Sequence, residues 1–346
     1  MTGVFTLTLD TELIWGSFDH TTPADFERHY PDERATIDGM LRLLERYEVS
    51  ATWALVGHLF IDSCERDASG RAHGDMVHPR QSEMQADWFH ADPATDRARD
   101  PLWYGTDVLD AIQDAGHPQE IACHSFSHPQ FGDPAMSIEA ARSDLAACVR
   151  LASERGIRLR SFVFPRNSEG HHAALQEAGF RVFRGQDPTW HSRAPEVLHR
   201  PAHFVDQALG IAPPVSRPTE HLPGLWRVPG SALLMGTTGM RRFVPAGARI
   251  HKAKLGLRRA AELDGVFHLW THPFNLSSDR EYMLSVFEGI LRAATEARDR
   301  DQLRIAPLGA VPDLFGADPE GVTVDRTAAA AALASQDFAT AGGSQS

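Results

Sequence analysis

The sequence predicts an α/β barrel in which parallel strands alternate with helices. Strand-like runs rich in β-branched and aromatic residues alternate with segments whose apolar residues recur at helical spacing. The length of 346 residues suits such a barrel with insertions. Carboxylates and histidines follow several predicted strands, at the sheet end where α/β barrels place their sites. With 42% hydrophobic residues, a disordered or fibrous protein is excluded.

Seven predicted strands follow one another with helices between most of them. The first strand covers 4–9 and ends at Asp10, and a helix with apolar residues at helical spacing covers 33–47. The later predicted strands cover 51–56, 120–123, 161–164, 181–183, 266–270 and 303–305. The later predicted helices cover 106–114, 138–154, 171–178, 248–262 and 280–297. Two successive strand–helix units at the start favour a parallel sheet.

We expect one domain, with residues 1–312 forming the barrel. The polar segment 58–104 is too long for a plain connection, and we expect it to be an insertion over one end of the barrel. The segment 188–229 is rich in proline and predicted to be irregular, with a strand end at 225–228. Residues 313–346 are dominated by Ala, Gly, Ser, Thr and Gln, which predicts a flexible tail.

Composition excludes several classes of protein. A formal net charge of −12 without a long basic run predicts no nucleic-acid partner. Three widely spaced cysteines are too few for a disulfide framework and fit a reducing compartment. No apolar run is long enough for a transmembrane segment. The first residues are a poor signal peptide, because their short apolar stretch ends at the charged Asp10. We therefore predict a cytoplasmic protein, and a homo-oligomer stays open.

Histidine is the unusual count, at 18 residues. Roughly one pair of histidines four residues apart is expected by chance, and three occur: His124/His128, His199/His203 and His268/His272. The second pair lies in the irregular segment without a preceding strand. His124 and His128 directly follow the strand 120–123, so both rings emerge at the sheet's carboxyl end. Two polar residues that cap a loop are the alternative explanation.

Asp10 and Glu12 follow the first strand two residues apart. Residues at that spacing on an extended strand project to the same side, so their carboxylates can converge at the barrel mouth. Imidazole together with carboxylate suits zinc and related ions. Taken alone, the two acids are better explained as a cap and a surface charge. Their coincidence with strand-end histidines shifts the interpretation toward a metal site.

Six segments in order resemble the polysaccharide deacetylase family, carbohydrate esterase family 4 with the NodB homology fold. These segments cover 8–12, 51–57, 120–128, 162–167, 185–190 and 267–274, and the resemblance extends over about residues 4 to 310. The spacing Asp10-Thr11-Glu12 departs from the family's adjacent aspartates. It resembles a subgroup that includes intracellular-type peptidoglycan deacetylases and allantoinase-like members. Pro165 also precedes Arg166 here instead of following it.

The resemblance implies a distorted (β/α)7 barrel with a divalent metal, Zn²⁺ first and Co²⁺, Ni²⁺ or Mn²⁺ as alternatives. Its implied reaction is removal of an acetyl or related acyl group from the nitrogen of an amino sugar. The implied metal ligands are Glu12, His124 and His128. Asp10 would be the general base, Arg166 would pair with and orient it, and His272 would be the general acid.

Further residues are implied or suggested around this centre. Asp187 and Trp190 match the family's acidic and aromatic residues beside the catalytic histidine, where Asp187 would keep His272 charged. Trp103, Tyr104 and Trp15 are candidates for stacking on a sugar or forming the wall over the metal, although simple packing explains them equally well. Two other functions stay open: an allantoinase-like hydrolase of a small cyclic or linear amide, and a catalytically silent barrel that binds a saccharide.

Overall fold

A computed structural model describes residues 2–188 and 212–316 of the chain. Within these ranges the predicted alternation of strands and helices is confirmed. The strands are β1 Gly3–Thr11, β2 Thr52–Leu55, β3 Glu120–Cys123, β4 Ser161–Val163, β5 Val182–Gly185, β6 Thr219–Leu222, β7 Leu225–Pro229, β8 Ala232–Leu233, β9 Val266–Thr271 and β10 Leu303–Ile305. The α-helices are α1 Pro23–His29, α2 Glu33–Arg46, α3 Thr106–Gln113, α4 Ile138–Glu154, α5 His172–Glu177, α6 Ala246–Leu263, α7 Pro273–Ser277, α8 Arg280–Arg298 and α9 Val311–Leu314.

All ten strands belong to one curled sheet, which confirms the predicted barrel class in an open form. The order is β6-β7-β5-β4-β3-β2-β1-β9-β8, and β10 pairs with the start of β1. Neighbours on this path are parallel except β6 and β7. The carboxyl ends of β1, β3, β5 and β9 therefore lie at one rim of the sheet.

Strand β1, which pairs with β2, β9 and β10, contributes side chains to both faces of the sheet. All nine of its residues are buried, as expected for a parallel strand covered on both faces. Leu7 and Leu9 belong to the large hydrophobic core. Thr8 and Asp10 alternate with them and contact the same arginine inside the barrel. The side chain of Asp10 is thus directed inward by strand alternation.

Two strands, β6 and β8, are not predicted by the sequence, and β6 lies in the segment expected to be irregular. The residues of β6 are mostly exposed and carry no buried stripe, and β8 has two residues. Strand β7 matches the strand end predicted at 225–228. A tight turn with Gly224 at φ 76° joins β6 to β7.

Aromatic side chains of the segment 58–104, the predicted insertion, contact the segments that follow β1 and β3. Its regular elements are two short 3-10 turns, Gly57–Phe60 and Trp88–Ala91. The Trp88 indole donates to the Ser127 carbonyl at 2.9 Å, so the insertion contacts the loop that carries His124 and His128.

The described residues end shortly after the predicted boundary between barrel and tail. Helix α9 runs to Leu314, two residues into the predicted tail, and residues 317–346 lie outside the described ranges. His199, His203 and Trp190 also lie outside them.

Within the described ranges, each helix is too short or too polar to cross a bilayer.

Candidate active site

Three imidazoles converge on one carboxylate oxygen at the rim of the sheet. Nε2 of His124, His128 and His272 lies 3.0, 3.1 and 3.2 Å from Glu12 Oε1. The side chains of Glu12, His124 and His128 are at most 4% exposed, and that of His272 is 17% exposed. Residues that follow β1, β3 and β9 are thereby brought into one small volume, as the strand-end argument predicts.

The loop after β3 turns sharply to aim both of its histidines at Glu12. Ser125 and His128 have φ of 61° and 63°, a left-handed conformation that is rare for residues other than glycine. Ser125 Oγ accepts a hydrogen bond from the His128 backbone N–H at 2.8 Å. Asp144 in α4 accepts another from the Phe126 backbone N–H at 2.7 Å. The surrounding structure thus holds the loop in its strained shape.

Gly16 has no side chain, and the Glu12 carboxylate occupies the space that a side chain there would fill. A Cβ atom added at Gly16 would overlap Glu12 Oε2 and lie 2.7 Å from its Cδ. Any larger residue at this position would therefore push the carboxylate away from the histidines.

The donor set fits a divalent cation. His124 Nδ1 lies 2.8 Å from the Val163 carbonyl and so carries a proton that it donates there, which leaves the lone pair of a neutral ring on Nε2. That lone pair faces an anionic oxygen of Glu12, an arrangement that needs a cation or a second proton. The candidate ligand atoms of Glu12, His124 and His128 lie within 4.8 Å of one another. Two imidazoles and one carboxylate are a ligand set of the catalytic zinc type, in which a fourth position is left for water.

Asp10 forms a buried, two-pronged ion pair with Arg184. Arg184 Nη1 and Nη2 donate to Asp10 Oδ1 and Oδ2 at 2.7 and 2.6 Å. Arg184 also donates to Thr8 Oγ1 at 2.9 Å and Asn167 Oδ1 at 3.2 Å, and it lies 4.3 Å from the centre of the Trp270 ring. Burial alone raises the pKa of Asp10, but the opposing charge of Arg184 holds that pKa below its usual value. Asp10 is therefore ionised at neutral pH.

The predicted pairing of Arg166 with Asp10 is wrong. Arg166 donates to both carboxylate oxygens of Asp19, at 2.6 and 2.7 Å, and its side chain is 30% exposed. The reason is position: Arg166 lies in a turn after β4, whereas Arg184 lies within β5 and faces the barrel interior. One signal could have identified Arg184, since an arginine in a strand buried on both faces needs an anionic partner.

His272 lies between the two acids. Its Nε2 is 3.8 Å from Asp10 Oδ2 as well as 3.2 Å from Glu12 Oε1. Burial lowers the pKa of His272, but the charges of Glu12 and then Asp10 outweigh burial and leave that pKa above its usual value. The two acids therefore favour the charged form of this ring.

Asp187 is positioned differently from the prediction. It accepts hydrogen bonds from the Trp270 indole N–H at 3.0 and 3.1 Å, and the centre of the Trp270 ring lies 5.8 Å from that of His272. The acids that raise the pKa of His272 are Glu12 and Asp10. The largest charges that raise this pKa are thus not that of Asp187, and the expected role of Asp187 beside His272 stays a prediction.

The three aromatic residues suggested as sugar contacts are buried. Trp15, Trp103 and Tyr104 are 1%, 4% and 0% exposed. The Trp15 indole donates to the Trp103 carbonyl at 3.1 Å, and the two rings meet edge to face at 5.0 Å. Because their faces are covered by protein, the prediction that they stack on a sugar is wrong, and they pack the insertion onto the barrel.

His268 is linked to the ion pair of Arg184 and Asp10 through Thr8. Its Nε2 lies 3.1 Å from Thr8 Oγ1, the hydroxyl that accepts a hydrogen bond from Arg184. Burial lowers the pKa of His268 to about 3, so the ring is neutral. A second charge beside Arg184 is thereby avoided.

Solved structures share this fold at low sequence identity. A Mycobacterium smegmatis protein named as a polysaccharide deacetylase is 14% identical, with a TM-score of 0.57 over 93% of this chain and 94% of that one. A Pseudomonas aeruginosa PAO1 protein named likewise is 12% identical, with a TM-score of 0.53 over 90% of each chain. A GH57-type branching enzyme from Pyrococcus horikoshii is 10% identical, with a TM-score of 0.50 over 93% of this chain and 72% of that one.

Sequence comparisons add no relative. No family model matches the chain, and a search of curated proteins found no match. The chain therefore has the open-barrel fold that these two polysaccharide deacetylases share with a branching enzyme.

Proposed function

We propose that the protein is a metal-dependent hydrolase that removes an N-acetyl or related N-acyl group from an amino sugar. One observation carries the proposal. Glu12, His124 and His128 form a buried divalent-metal donor set beside an ionised Asp10 and a His272 that favours its charged form. Together they would supply the three parts of metal-assisted amide hydrolysis: a Lewis acid, a base and an acid.

Glu12, His124 and His128 would hold the metal. When bound, a divalent ion, with Zn²⁺ as the first candidate, polarises the acyl carbonyl and lowers the pKa of water. Asp10 is the candidate base that takes a proton from the attacking water. Arg184 keeps Asp10 ionised and fixes its orientation through two hydrogen bonds.

His272 is the candidate general acid. An amine is a poor leaving group as an anion, so its nitrogen needs a proton as the C–N bond breaks. The Nε2 atom of His272 faces the same volume as Glu12 and Asp10. Since the ring is partly exposed, it can recover a proton from solvent after each turnover.

The site favours amide hydrolysis over glycoside chemistry, although a branching enzyme shares the fold. Most glycoside hydrolases use two carboxyl groups, one with a raised pKa that protonates the leaving oxygen. Here the two carboxyl groups that contact the histidines, Asp10 and Glu12, both have a lowered pKa, because Arg184 beside Asp10 and the three histidines around Glu12 outweigh their burial. A third acid, Glu33, has a pKa raised to about 8 by burial and by the charge of Glu12, and it is 5% exposed. The names of the two deacetylase neighbours support the same choice.

The net charge of the protein bears on the charge of the substrate that it suits. With a net charge of −12, the protein suits a neutral substrate and a cationic amino-sugar product better than a polyanion. The three cysteines are free, which fits a reducing compartment and supports a cytoplasmic substrate.

A substrate panel tests the proposal. The Zn²⁺-loaded full chain is incubated with N-acetyl amino sugars and, separately, with allantoin, and acetate release and ring opening are measured. We expect acetate release that is lost in His128→Ala and kept in His29→Ala, a change on the exposed helix α1. Ring opening without acetate release would overturn the proposal in favour of an allantoinase-like enzyme. Saccharide binding without turnover would overturn it in favour of a silent barrel.

A further inference from the structure

A second cluster of metal-ligand side chains lies under the insertion, apart from the candidate active site. It consists of His58, Cys64, His73 and Asp92, whose ligand atoms all lie within 4.8 Å of one another. All four belong to the insertion, and His58 is its first residue, three positions after the end of β2. None of the four takes part in the chemistry proposed above.

Asp92 is the centre of this cluster. Its Oδ2 lies 3.0 Å from His73 Nε2 and 3.3 Å from His58 Nε2. Cys64 Sγ lies 3.5 and 3.6 Å from its two oxygens. The side chains of His58 and Asp92 are fully buried, that of His73 is 10% exposed, and Cys64 is partly exposed. The cluster is thus buried except at Cys64 and part of His73.

His58 carries an unsatisfied nitrogen that is aimed into the cluster. Its Nδ1 lies 2.9 Å from the Trp103 carbonyl, to which it donates, so the lone pair of a neutral ring is on Nε2. Nε2 is buried and makes no hydrogen bond with the described residues, although it lies 3.3 Å from Asp92. Burial lowers the pKa of His58, which favours that neutral ring. A buried lone pair directed at a carboxylate is costly unless a cation lies between them.

The geometry points to a second, structural metal site in which His58, Cys64, His73 and Asp92 bind one Zn²⁺ ion. Tetrahedral zinc with bonds of about 2.0 to 2.3 Å separates its ligand atoms by roughly 3.3 to 3.8 Å. The distances of 3.0 to 3.6 Å from Asp92 are close to that range. Four protein ligands leave no open position, which is the pattern of a structural site rather than a catalytic one.

Charge balance agrees with this assignment. One thiolate and one carboxylate neutralise a divalent ion, so the buried site carries no net charge. Burial raises the pKa of the Cys64 thiol to about 12, so the thiol is protonated without metal. Metal binding therefore releases the thiol proton to solvent.

The ion would tie the start of the insertion, which directly follows β2, to three of its later residues. His58 is packed against the Trp15 ring at 4.6 Å, and Trp15 follows Glu12 by three residues. A metal bound here would thus fix the position of Trp15, close in sequence to Glu12, without touching the reacting groups of the candidate active site.

Cobalt substitution tests the assignment on the unaltered full chain. The protein is stripped of metal, loaded with Co²⁺ and examined by ultraviolet–visible absorption. The active-site ligands contain no sulfur, so a thiolate-to-cobalt charge-transfer band reports Cys64 alone. We expect this band and two metal ions per chain by elemental analysis. A Co²⁺-loaded protein without the band would overturn the proposal.

Variants separate the two sites. We expect Cys64→Ser and Asp92→Asn to lower the metal count from two to one, with loss of the band. His128→Ala is expected to lower the count to one and keep the band. The control is His90→Ala, an exposed histidine in the same insertion, which should keep both ions and the band. An unchanged metal count in both Cys64→Ser and Asp92→Asn would also contradict the proposal, whatever the fate of the deacetylase activity.

Discussion

Arg184 and Asp10 form a two-pronged ion pair whose side chains are 1% and 2% exposed. The pair joins the interior of β5 to the end of β1 and orients the candidate base. Arg166, the arginine expected in this role, instead binds Asp19 near the surface.

Removing these two arginines should have unequal effects. Arg184→Met leaves a buried carboxylate without its partner, and we expect a loss of about 3–5 kcal/mol in the free energy of unfolding, together with low activity. Arg166→Met breaks a partly exposed pair, and about 0–1 kcal/mol is expected. Denaturant unfolding of both variants measures the difference. Equal losses would show that the Arg184 pair is not the structural anchor described here.

The contrast between these arginines shows how far the sequence predicts the site. Strand ends and alternation bring Asp10, Glu12, His124 and His128 together, because carboxyl ends of parallel strands meet at one rim. The sequence does not predict Arg184 as a site residue, because the predicted strand stops at residue 183, whereas β5 continues to Gly185.

Other parts of the site depend on packing that spacing does not encode. Trp15 and Trp103 suit a sugar-binding wall by composition, yet they pack against each other and are buried. The cluster of Cys64 with two histidines and Asp92 is spread over a polar segment, so no short motif reveals it.

Gly16→Ala should weaken metal binding while the fold is kept. The added methyl group overlaps Glu12 Oε2, so the carboxylate must turn away from His124 and His128. We expect Zn²⁺ affinity to fall about 10- to 100-fold, as measured by competition with a chelator. The matched control is Gly247→Ala in α6, where a Cβ meets nothing within 4 Å. Equal affinities in the two variants would contradict the proposed role of Glu12.

His272→Ala should impair turnover without releasing the metal. Loss of a general acid lowers kcat by about 10²- to 10⁴-fold, while Glu12, His124 and His128 stay in place. Added imidazole should restore part of the activity. Activity within a few-fold of the unaltered protein would exclude His272 as the acid.

Asp144 should make stability depend on pH. Burial raises its pKa to about 7 in the folded protein, from an ordinary 3.8, so the folded state binds more protons between these values. Stability therefore falls as pH rises from about 4 to 7 and then levels off. The loss is on the order of a few kcal/mol, since each pH unit in this window contributes about 1.4 kcal/mol.

Asp144→Asn isolates this contribution, because an amide oxygen can still accept from the Phe126 N–H. Urea unfolding at pH 5 and pH 8 should give a smaller difference for the variant than for the unaltered protein. The same difference in both proteins would assign the pH dependence to other groups.

The central claim is that Glu12, His124 and His128 bind the metal used for deacylation. Anomalous diffraction on either side of the zinc absorption edge, from crystals of Zn²⁺-loaded protein that releases acetate, tests it most directly. We predict an anomalous peak about 2.0 to 2.2 Å from Nε2 of both histidines and from an oxygen of Glu12. A preparation that releases acetate but shows no peak at these three residues would contradict the claim.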